Sequence, residues 1–206
     1  MSELTSLIRL SERHIKPASL VLSRAFQNDP IIRWQIPDAN KRLLKTHYIF
    51  EIKLRIGVKY GEVYSTSKNL EGIAIWRSYK NVNYPYWQYL VRGGFKLPLK
   101  FGIKNAKRMT FVKAVNDSMR NIYMKVPYWY FELIGVDPKF QGQGFANKLI
   151  KPMLSRIDNK NLPIYLETTL ERNLLFFEYF EFEKLEEIII PNTNIVHWSM
   201  IRINEE

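Results

Sequence analysis

A loop with two glycines separates a strand-like segment from a helix-like segment in the second half of the chain. The loop, residues 141–146, reads Gln-Gly-Gln-Gly-Phe-Ala; residues 129–136 before it are mostly aromatic and aliphatic, and residues 147–157 after it carry apolar side chains at helical spacing. The first N–H groups of a helix have no intrahelical partner and carry partial positive charge. Glycines let such backbone approach a phosphate closely. The segment therefore predicts an anion-binding turn between a strand and a helix.

The spacing of the glycines discriminates among phosphate-binding loops. A dinucleotide fingerprint requires a glycine at position 147, where this chain has Asn147, and a Walker loop requires a Gly-Lys-Ser/Thr ending that these residues do not supply. The pattern Q/R-x-x-G-x-G/A is met by Gln141, Gly144 and Ala146. It resembles the pyrophosphate loop of the GNAT superfamily of N-acetyltransferases, which bind acetyl-coenzyme A (acetyl-CoA). For a loop taken alone, a tight turn without a ligand is the alternative.

A second motif downstream strengthens this resemblance. Residues 164–169 read as a strand, and residues 171–178, Glu-Arg-Asn-Leu-Leu-Phe-Phe-Glu, read as the start of a helix. They resemble the next strand and helix of the family, L-E-T-x-x-x-R-N-x-x-F-Y-E-x-x-G-F, and the aromatic strand at 128–131 agrees with the same assignment. Among the branches of the superfamily, the chain most resembles the puromycin N-acetyltransferase-like enzymes that act on small amines.

The order of predicted elements agrees with the fold that this resemblance implies. The chain reads as a strand, two helices and two strands, then a helical insertion, then strand, helix, strand, helix and a final strand pair. The expectation is an α/β (α+β) GNAT-like fold, a mixed and mostly antiparallel sheet flanked by helices, with a basic helical insertion at 77–127 before the central strand. At 206 residues, a single domain over 1–206 is expected.

The resemblance also implies which residues hold acetyl-CoA. The main chain of Ile134 and Val136 would pair with the pantetheine arm. The amide of Asn173 would face the thioester end, with a helix N-cap as the alternative role, and Phe177 would lie beside the cofactor. The pyrophosphate would be bound by the six loop residues, Gln141, Gly142, Gln143, Gly144, Phe145 and Ala146.

Two positions depart from the family pattern. The family usually has a tyrosine that protonates the leaving thiolate where this chain has Phe177, which has no proton to give. Glu181 stands where a glycine usually ends this helix in a left-handed conformation. Tyr179 is no substitute for the tyrosine, because two residues rotate a helix by about 200°. The donor for the leaving thiolate is therefore unassigned.

Two glutamates are the candidate catalytic residues. Glu132 and Glu167 each lie in a predicted strand between apolar residues, where alternation directs each side chain to one face of the sheet. Acetyl transfer needs a neutral amine, and a carboxylate with a shifted pKa beside a cleft suits a base that removes its proton. A solvated strand face, or an ion pair with Arg172, is the alternative for these carboxylates.

The composition excludes several classes of site. The chain has no cysteine, which excludes disulfides, cysteine nucleophiles and thiolate metal sites. The histidines His14, His47 and His197 do not have metal-ligand spacing, so no metal is expected. The chain lacks a stretch of about 18 apolar residues, so no membrane span is expected. The first residues do not resemble a secretory signal, and the cytoplasm is the expected compartment.

The positive charge is concentrated in one segment. The net charge is +11, and residues 77–127 hold eleven Lys or Arg against Asp117 alone. We expect helices here that cover the acceptor side. Four lysines would lie near one helical face through i, i+4 spacing: Lys96, Lys100, Lys104 and Lys107. This charge could attract acidic acceptors or the phosphates of coenzyme A, or it could form a solvated face without a ligand.

The leading functional hypothesis is an acetyl-CoA-dependent N-acetyltransferase in which the amine of a small molecule attacks the thioester directly. A catalytically weak coenzyme A-binding sensor or scaffold is the alternative, and Phe177 favours it. Binding of nucleic acid or of an anionic membrane through 77–127 rests on charge alone, without a recognised motif. The sequence leaves open the identity of the acceptor and the choice between monomer and homodimer.

Overall fold

A seven-stranded mixed sheet forms the centre of the protein, and the computed structural model describes residues 3–204. The strands are β1 Ile8–Arg9, β2 Glu62–Ser65, β3 Gly72–Ser78, β4 Trp129–Val136, β5 Ile164–Thr168, β6 Glu183–Ile189 and β7 Val196–Arg202. Across the sheet the order is β1-β2-β3-β4-β5-β7-β6. The pair β4 and β5 is parallel, and the other neighbours are antiparallel. The prediction of a mixed, mostly antiparallel sheet is confirmed.

Helices flank this sheet and join its strands. They are α1 Ile15–Ala25, α2 Pro30–Gln35, α3 Ala39–Tyr60, α4 Tyr86–Val91, α5 Leu97–Phe101, α6 Ile103–Tyr123, α7 Phe145–Asp158 and α8 Arg172–Glu178. Within residues 3–204, no helix is both long and apolar enough to cross a membrane. Helices α4, α5 and α6 form the insertion that precedes β4, so the predicted insertion is helical.

The side chains of β3 alternate between two hydrophobic cores. Ile73 and Ile75 belong to a core that includes residues of α1 and α3, whereas Ala74 and Trp76 belong to a core that includes residues of α7. This follows from the geometry of a strand, whose successive side chains point to opposite faces of the sheet. The sheet is therefore covered by helices on both faces.

Two aspartates cap the N-termini of helices α2 and α3. Asp29 N-caps α2 and Asp38 N-caps α3, each by accepting a hydrogen bond from a backbone N–H of the first turn. Pro30 occupies the first position of α2, where its missing N–H is not needed. Helix α3 therefore begins at Ala39, directly after its cap.

The four lysines of the insertion do not share one helical face. Helices α5 and α6 are separated by Gly102, whose φ of +81° interrupts the helical backbone. Lys100 remains on α5 and donates a hydrogen bond to the Tyr48 hydroxyl at 3.2 Å. The prediction that four lysines share one helical face is wrong, because the helical periodicity does not continue through this break. The four are Lys96, Lys100, Lys104 and Lys107.

Candidate active site

Strands β4 and β5 separate in the middle of the sheet. In the described residues they pair at three positions, with residues 129–131 of β4 beside residues 164–166 of β5. From Leu133 to Val136, β3 is the one strand among the described residues that pairs with β4. One edge of β4 is therefore open along its second half, opposite the end of β5.

A β-bulge lies where the two strands begin to separate. The register between β3 and β4 shifts between Ile75 and Trp76, and Glu132 is the extra residue on β4. A bulge bends its strand and changes which backbone groups face each edge. In this strand it re-aims the backbone beyond Glu132 relative to the part that pairs with β5.

The backbone of Ile134 and Val136 faces the open edge. The N–H of Asp137 donates to the carbonyl of Glu71, which lies on the β3 side. Because backbone groups alternate between the two edges of a strand, the N–H groups of Ile134 and Val136 point away from β3. The Val136 carbonyl accepts a hydrogen bond from the Gln141 side chain at 3.1 Å. An extended ligand could pair with this edge as an added strand.

The glycine loop connects this open edge to the start of α7. Gly142 and Gly144 have φ values of +77° and +78°, and a Cβ atom on either would meet no atom within 4 Å. The helix has no side-chain cap in the described chain, and a backbone bond runs from the Lys148 N–H to the Gly144 carbonyl. The N–H groups that precede Lys148 in the first turn are available to an anion. The space and the donors fit a pyrophosphate.

Asn173 ties the end of β5 to the start of α8. Its side-chain amide donates to the hydroxyl of Thr168 at 2.9 Å, and the same hydroxyl accepts from the N–H of Leu170. Helix α8 begins at Arg172, and its N-cap residue is Glu171. The N-cap alternative for Asn173 is therefore wrong, because the residue lies inside the first turn.

A cavity of about 240 Å³ lies beside the open edge of β4, with walls from the sheet, α2, α3 and α6. Ile134, Asn173 and Phe177 line it, as do both candidate glutamates, Glu132 and Glu167. In the described structure the six loop residues lie at the end of β4 and contribute none of its wall. The structure thus brings the catalytic candidates together and leaves the phosphate loop outside the cavity.

Glu167 carries one free carboxylate oxygen. Its Oε2 accepts a hydrogen bond from the Tyr130 hydroxyl at 2.7 Å, whereas Oε1 is buried and has no hydrogen-bond partner among residues 3–204. Burial raises the pKa of Glu167 to about 7, although the Tyr130 hydrogen bond and the Arg120 charge oppose this rise. A carboxyl group with this pKa exchanges a proton near neutral pH, as a general base must.

The surroundings of Glu132 shift its pKa downward, in the direction opposite to that of Glu167. Its side chain is 7% exposed, with Oε2 2.7 Å from Nε of Arg77 and Oε1 3.4 Å from Nζ of Lys53. The Arg77 contact is an ion pair without hydrogen-bond geometry. Burial acts to raise the pKa of Glu132, but the charges of Arg77 and Lys53 contribute to a net shift below its ordinary value. Glu132 is therefore anionic at neutral pH and less suited than Glu167 to accept a proton.

A second ion cluster comes from α6. Asp117 accepts hydrogen bonds from Lys113 and from Arg120, whose Nη2 lies 2.7 Å from Oδ1. Arg120 is 1% exposed, and its guanidinium lies 5.0 Å from the ring centroid of Tyr130, the residue that donates to Glu167. Sequence reasoning missed this cluster. The available signal was the i, i+4 and i, i+3 spacing of one acid between two bases on a helix.

His197 lines the cavity wall rather than the protein surface. It is 1% exposed, and both ring nitrogens are buried without a hydrogen-bond partner in the part of the chain that the structure describes. Burial lowers the pKa of His197 to about 4, so the ring is neutral at physiological pH. Residues 3–204 contain no group of three or more His, Cys, Asp or Glu side chains arranged to hold a metal ion.

Sequence comparison relates the chain to a named N-acetyltransferase. No protein-family model matches the sequence. Over 193 residues the chain is 28% identical to an uncharacterized N-acetyltransferase of Schizosaccharomyces pombe, which covers 90% of this chain and 77% of that protein.

Three solved structures illustrate the structural likeness. A structure described as histone acetyltransferase HPA2 and related acetyltransferase from Corynebacterium glutamicum has a TM-score of 0.70 at 18% identity, covering 98% of this chain and 97% of that one. Arylalkylamine N-acetyltransferase 2 from Aedes aegypti has a TM-score of 0.64 at 13% identity, with coverages of 97% and 98%. Drosophila melanogaster polyamine N-acetyltransferase has a TM-score of 0.57 at 10% identity, with coverages of 96% and 98%. The protein therefore has the GNAT fold, as the sequence predicts.

Proposed function

We propose that this protein, with its GNAT fold, is an acetyl-CoA-dependent N-acetyltransferase that acetylates the amine of a small molecule. The observation that carries the proposal is that the open edge of β4 joins the glycine loop to a cavity containing Glu167. An anion cradle, a row of main-chain donors and a proton acceptor are the parts that acetyl transfer from a thioester of coenzyme A requires. The likeness to an N-acetyltransferase of Schizosaccharomyces pombe supports the same reaction.

The residues at the open edge fit coenzyme A. The N–H groups at the start of α7 would bind the pyrophosphate over Gly142 and Gly144, where close approach is unobstructed. The main chain of Ile134 and Val136 would pair with the pantetheine arm and direct the thioester toward the cavity. Asn173 would face the thioester end from α8. When bound, acetyl-CoA supplies an activated acetyl group, and a side chain of the protein accepts the proton that the amine releases.

Glu167 would accept the proton that the amine must lose. In the reaction the amine nitrogen bonds to the acetyl carbon while the carbon–sulfur bond breaks, so nitrogen gives up a proton and sulfur takes one. An ammonium ion cannot attack, because its lone pair is occupied by a proton. The free Oε1 of Glu167, with a pKa of about 7, can accept this proton directly or through a water.

The departing sulfur has no tyrosine donor at position 177. Phe177 is buried against Phe131, with 6.1 Å between the ring centroids, and it offers no proton. A thiol has an ordinary pKa of about 8.5, so a thiolate can leave before it is protonated. We therefore infer that the enzyme turns over slowly and that solvent returns the proton to sulfur.

Calorimetry and a thiol-release assay test this function together. Titration with acetyl-CoA measures binding, and release of free thiol across a panel of amines measures transfer. Binding with amine-dependent thiol release is the expected result. Binding without release for any amine would instead support a coenzyme A sensor, and the absence of binding would overturn both ideas.

A further inference from the structure

The cavity wall contains two ion clusters that each hold one carboxylate between two cations. The first cluster is Glu132 with Arg77 and Lys53, and the second is Asp117 with Lys113 and Arg120. All six side chains line the same cavity. Each cluster has one positive charge in excess, so the side of the cavity that they form is electropositive.

Two tyrosine rings bring these clusters together. The guanidinium of Arg77 lies 5.4 Å from the ring centroids of both Tyr84 and Tyr130. Nζ of Lys113 lies 5.2 Å from the centroid of Tyr84, and the guanidinium of Arg120 lies 5.0 Å from that of Tyr130. Cations from both clusters therefore converge on one region of the wall instead of being spread around the cavity.

The other carboxylates on the described wall, Asp29 and Glu167, balance this excess only while Glu167 is ionised. Asp29, which caps α2, offsets one of the two surplus charges. Glu167 is neutral once it has taken the proton of the amine. One cation then has no counter-charge on the wall, and Nε of Arg120 is buried with no hydrogen-bond partner in the described chain. A ligand that brings an anionic group would supply the missing counter-charge.

We propose that the acceptor is an amine that carries its own carboxylate, of the amino-acid type. This inference rests on the proposed function and specifies its substrate class. The amine would face Oε1 of Glu167, and the carboxylate would face Lys53 and Lys113, whose side chains are 41% and 32% exposed and so are accessible to a ligand. A polyamine would bring a second positive charge, which no carboxylate on the described wall remains to balance, and would be disfavoured.

A matched set of three amines tests this class of acceptor. Phenylalanine carries the carboxylate, phenylalaninamide has a neutral carboxamide in its place, and phenethylamine has neither the carboxylate nor the carboxamide. The amide controls for basicity, because its amine is less basic than that of the amino acid and is neutral in a larger fraction of molecules. We expect kcat/KM for phenylalanine to exceed that for the amide by about tenfold, the scale of one charge-assisted contact. An equal or higher value for the amide would overturn the inference.

Single lysine variants locate the source of the preference. Lys113→Met should reduce the ratio of the two kcat/KM values several-fold, and Lys53→Met should act in the same direction. Lys107→Met is the matched control, since Lys107 is exposed on the same helix as Lys113 and does not line the cavity. A ratio that is unchanged in both cavity variants would contradict the proposed carboxylate site.

Product binding distinguishes failure of this inference from failure of the proposed function. N-acetylphenylalanine and N-acetylphenylalaninamide are titrated by calorimetry in the presence of coenzyme A. If no amine gives thiol release but the carboxylate binds about tenfold more tightly, the carboxylate site stands and the transferase function fails. If thiol release occurs but neither turnover nor product binding favours the carboxylate, the function stands and this inference is overturned.

Discussion

The two sides of the proposed site are built from different parts of the chain. The coenzyme A side consists mainly of backbone, with the open edge of β4 and the start of α7 joined by Gly142 and Gly144. The acceptor side consists of charged and apolar side chains from β3, β4, β5, α3 and α6. Backbone donors tolerate changes of side chain, whereas side-chain clusters do not. A short motif can therefore reveal the cofactor, but the acceptor depends on residues that are far apart in sequence.

The largest effect should follow from a change on the acceptor side. Glu167→Gln keeps an oxygen that can accept from the Tyr130 hydroxyl but removes the base, so kcat/KM should fall by about 10²–10⁴-fold. In the wild type, kcat/KM should rise with pH through an apparent pKa near 7, because the base must be deprotonated. That rise should be absent from the variant, and calorimetry should show unchanged affinity for acetyl-CoA. Full activity at neutral pH would assign the base to another group.

Glu132→Gln is the matched comparison for this variant. Because Glu132 is already anionic at neutral pH, its loss should leave the rise near pH 7 in place. Removing one partner from a buried ion pair costs about 3–5 kcal/mol, so the fold should instead be less stable. Thermal unfolding and the pH profile together separate the two glutamates, and loss of the rise in Glu132→Gln would reverse their roles.

The next effect should be confined to the coenzyme A side. Gly144→Asn places a side chain over the backbone that a phosphate must approach, and acetyl-CoA affinity measured by calorimetry should fall roughly tenfold or more. Asparagine tolerates a positive φ better than β-branched residues, so strain should be small. Gly93→Asn is the control, because Gly93 lies in the insertion, also has a left-handed backbone with φ +116° and ψ −3°, and an added Cβ would come no closer than 3.4 Å to another atom. Equal losses of affinity in the two variants would contradict the phosphate cradle.

A smaller effect, a gain in rate, is expected at Phe177, where the coenzyme A side and the acceptor side of the site meet. Phe177→Tyr adds a hydroxyl on the cavity wall and should raise the single-turnover rate, by up to about 10²-fold if the hydroxyl reaches the sulfur. Phe176→Tyr adds the same group at the neighbouring position, outside the cavity wall, and serves as the control. Tyr165 is the alternative donor on β5, but it does not line the cavity, and its hydroxyl lies 2.9 Å from that of Ser199. No gain in Phe177→Tyr would show that sulfur already has a proton source.

The smallest effect should come from Arg120, which lies on α6 in the insertion and influences the pKa of Glu167. The charge of Arg120 opposes the rise that burial causes in the pKa of Glu167, so Arg120→Met should raise that pKa further. The rise of kcat/KM should then move to higher pH, by about one unit. Lys107→Met, on the exposed side of α6, should leave the profile unchanged. An unshifted profile in Arg120→Met would separate α6 from the chemistry.

The coenzyme A side was largely predictable from the sequence because its signals are local. Strand β4 spans the predicted residues 129–136, and the loop and α7 follow in the predicted order. The final strand pair is confirmed as β6 and β7, which are antiparallel neighbours. The bulge at Glu132 was not predicted, because its cause is the register with β3 and not a pattern within β4.

The acceptor side was less predictable because its contacts join distant residues. Lys53 and Glu132 are 79 positions apart, and no periodicity within either segment indicates that they meet. The lysine pattern of the insertion failed because Gly102 ends one helix and begins another. The puromycin-like branch, the single domain over 1–206 and the cytoplasmic location stay predictions.

Amide hydrogen exchange with and without saturating coenzyme A tests the central claim most directly. The claim is that coenzyme A pairs with the open edge of β4 and with the first turn of α7. The N–H groups of Ile134 and Val136 and those of residues 145–147 should exchange more slowly in the complex, because each gains a hydrogen-bond partner. The amides at the start of α6 should be unaffected. Unchanged exchange at Ile134 and Val136, with protection elsewhere in the sheet, would contradict the account.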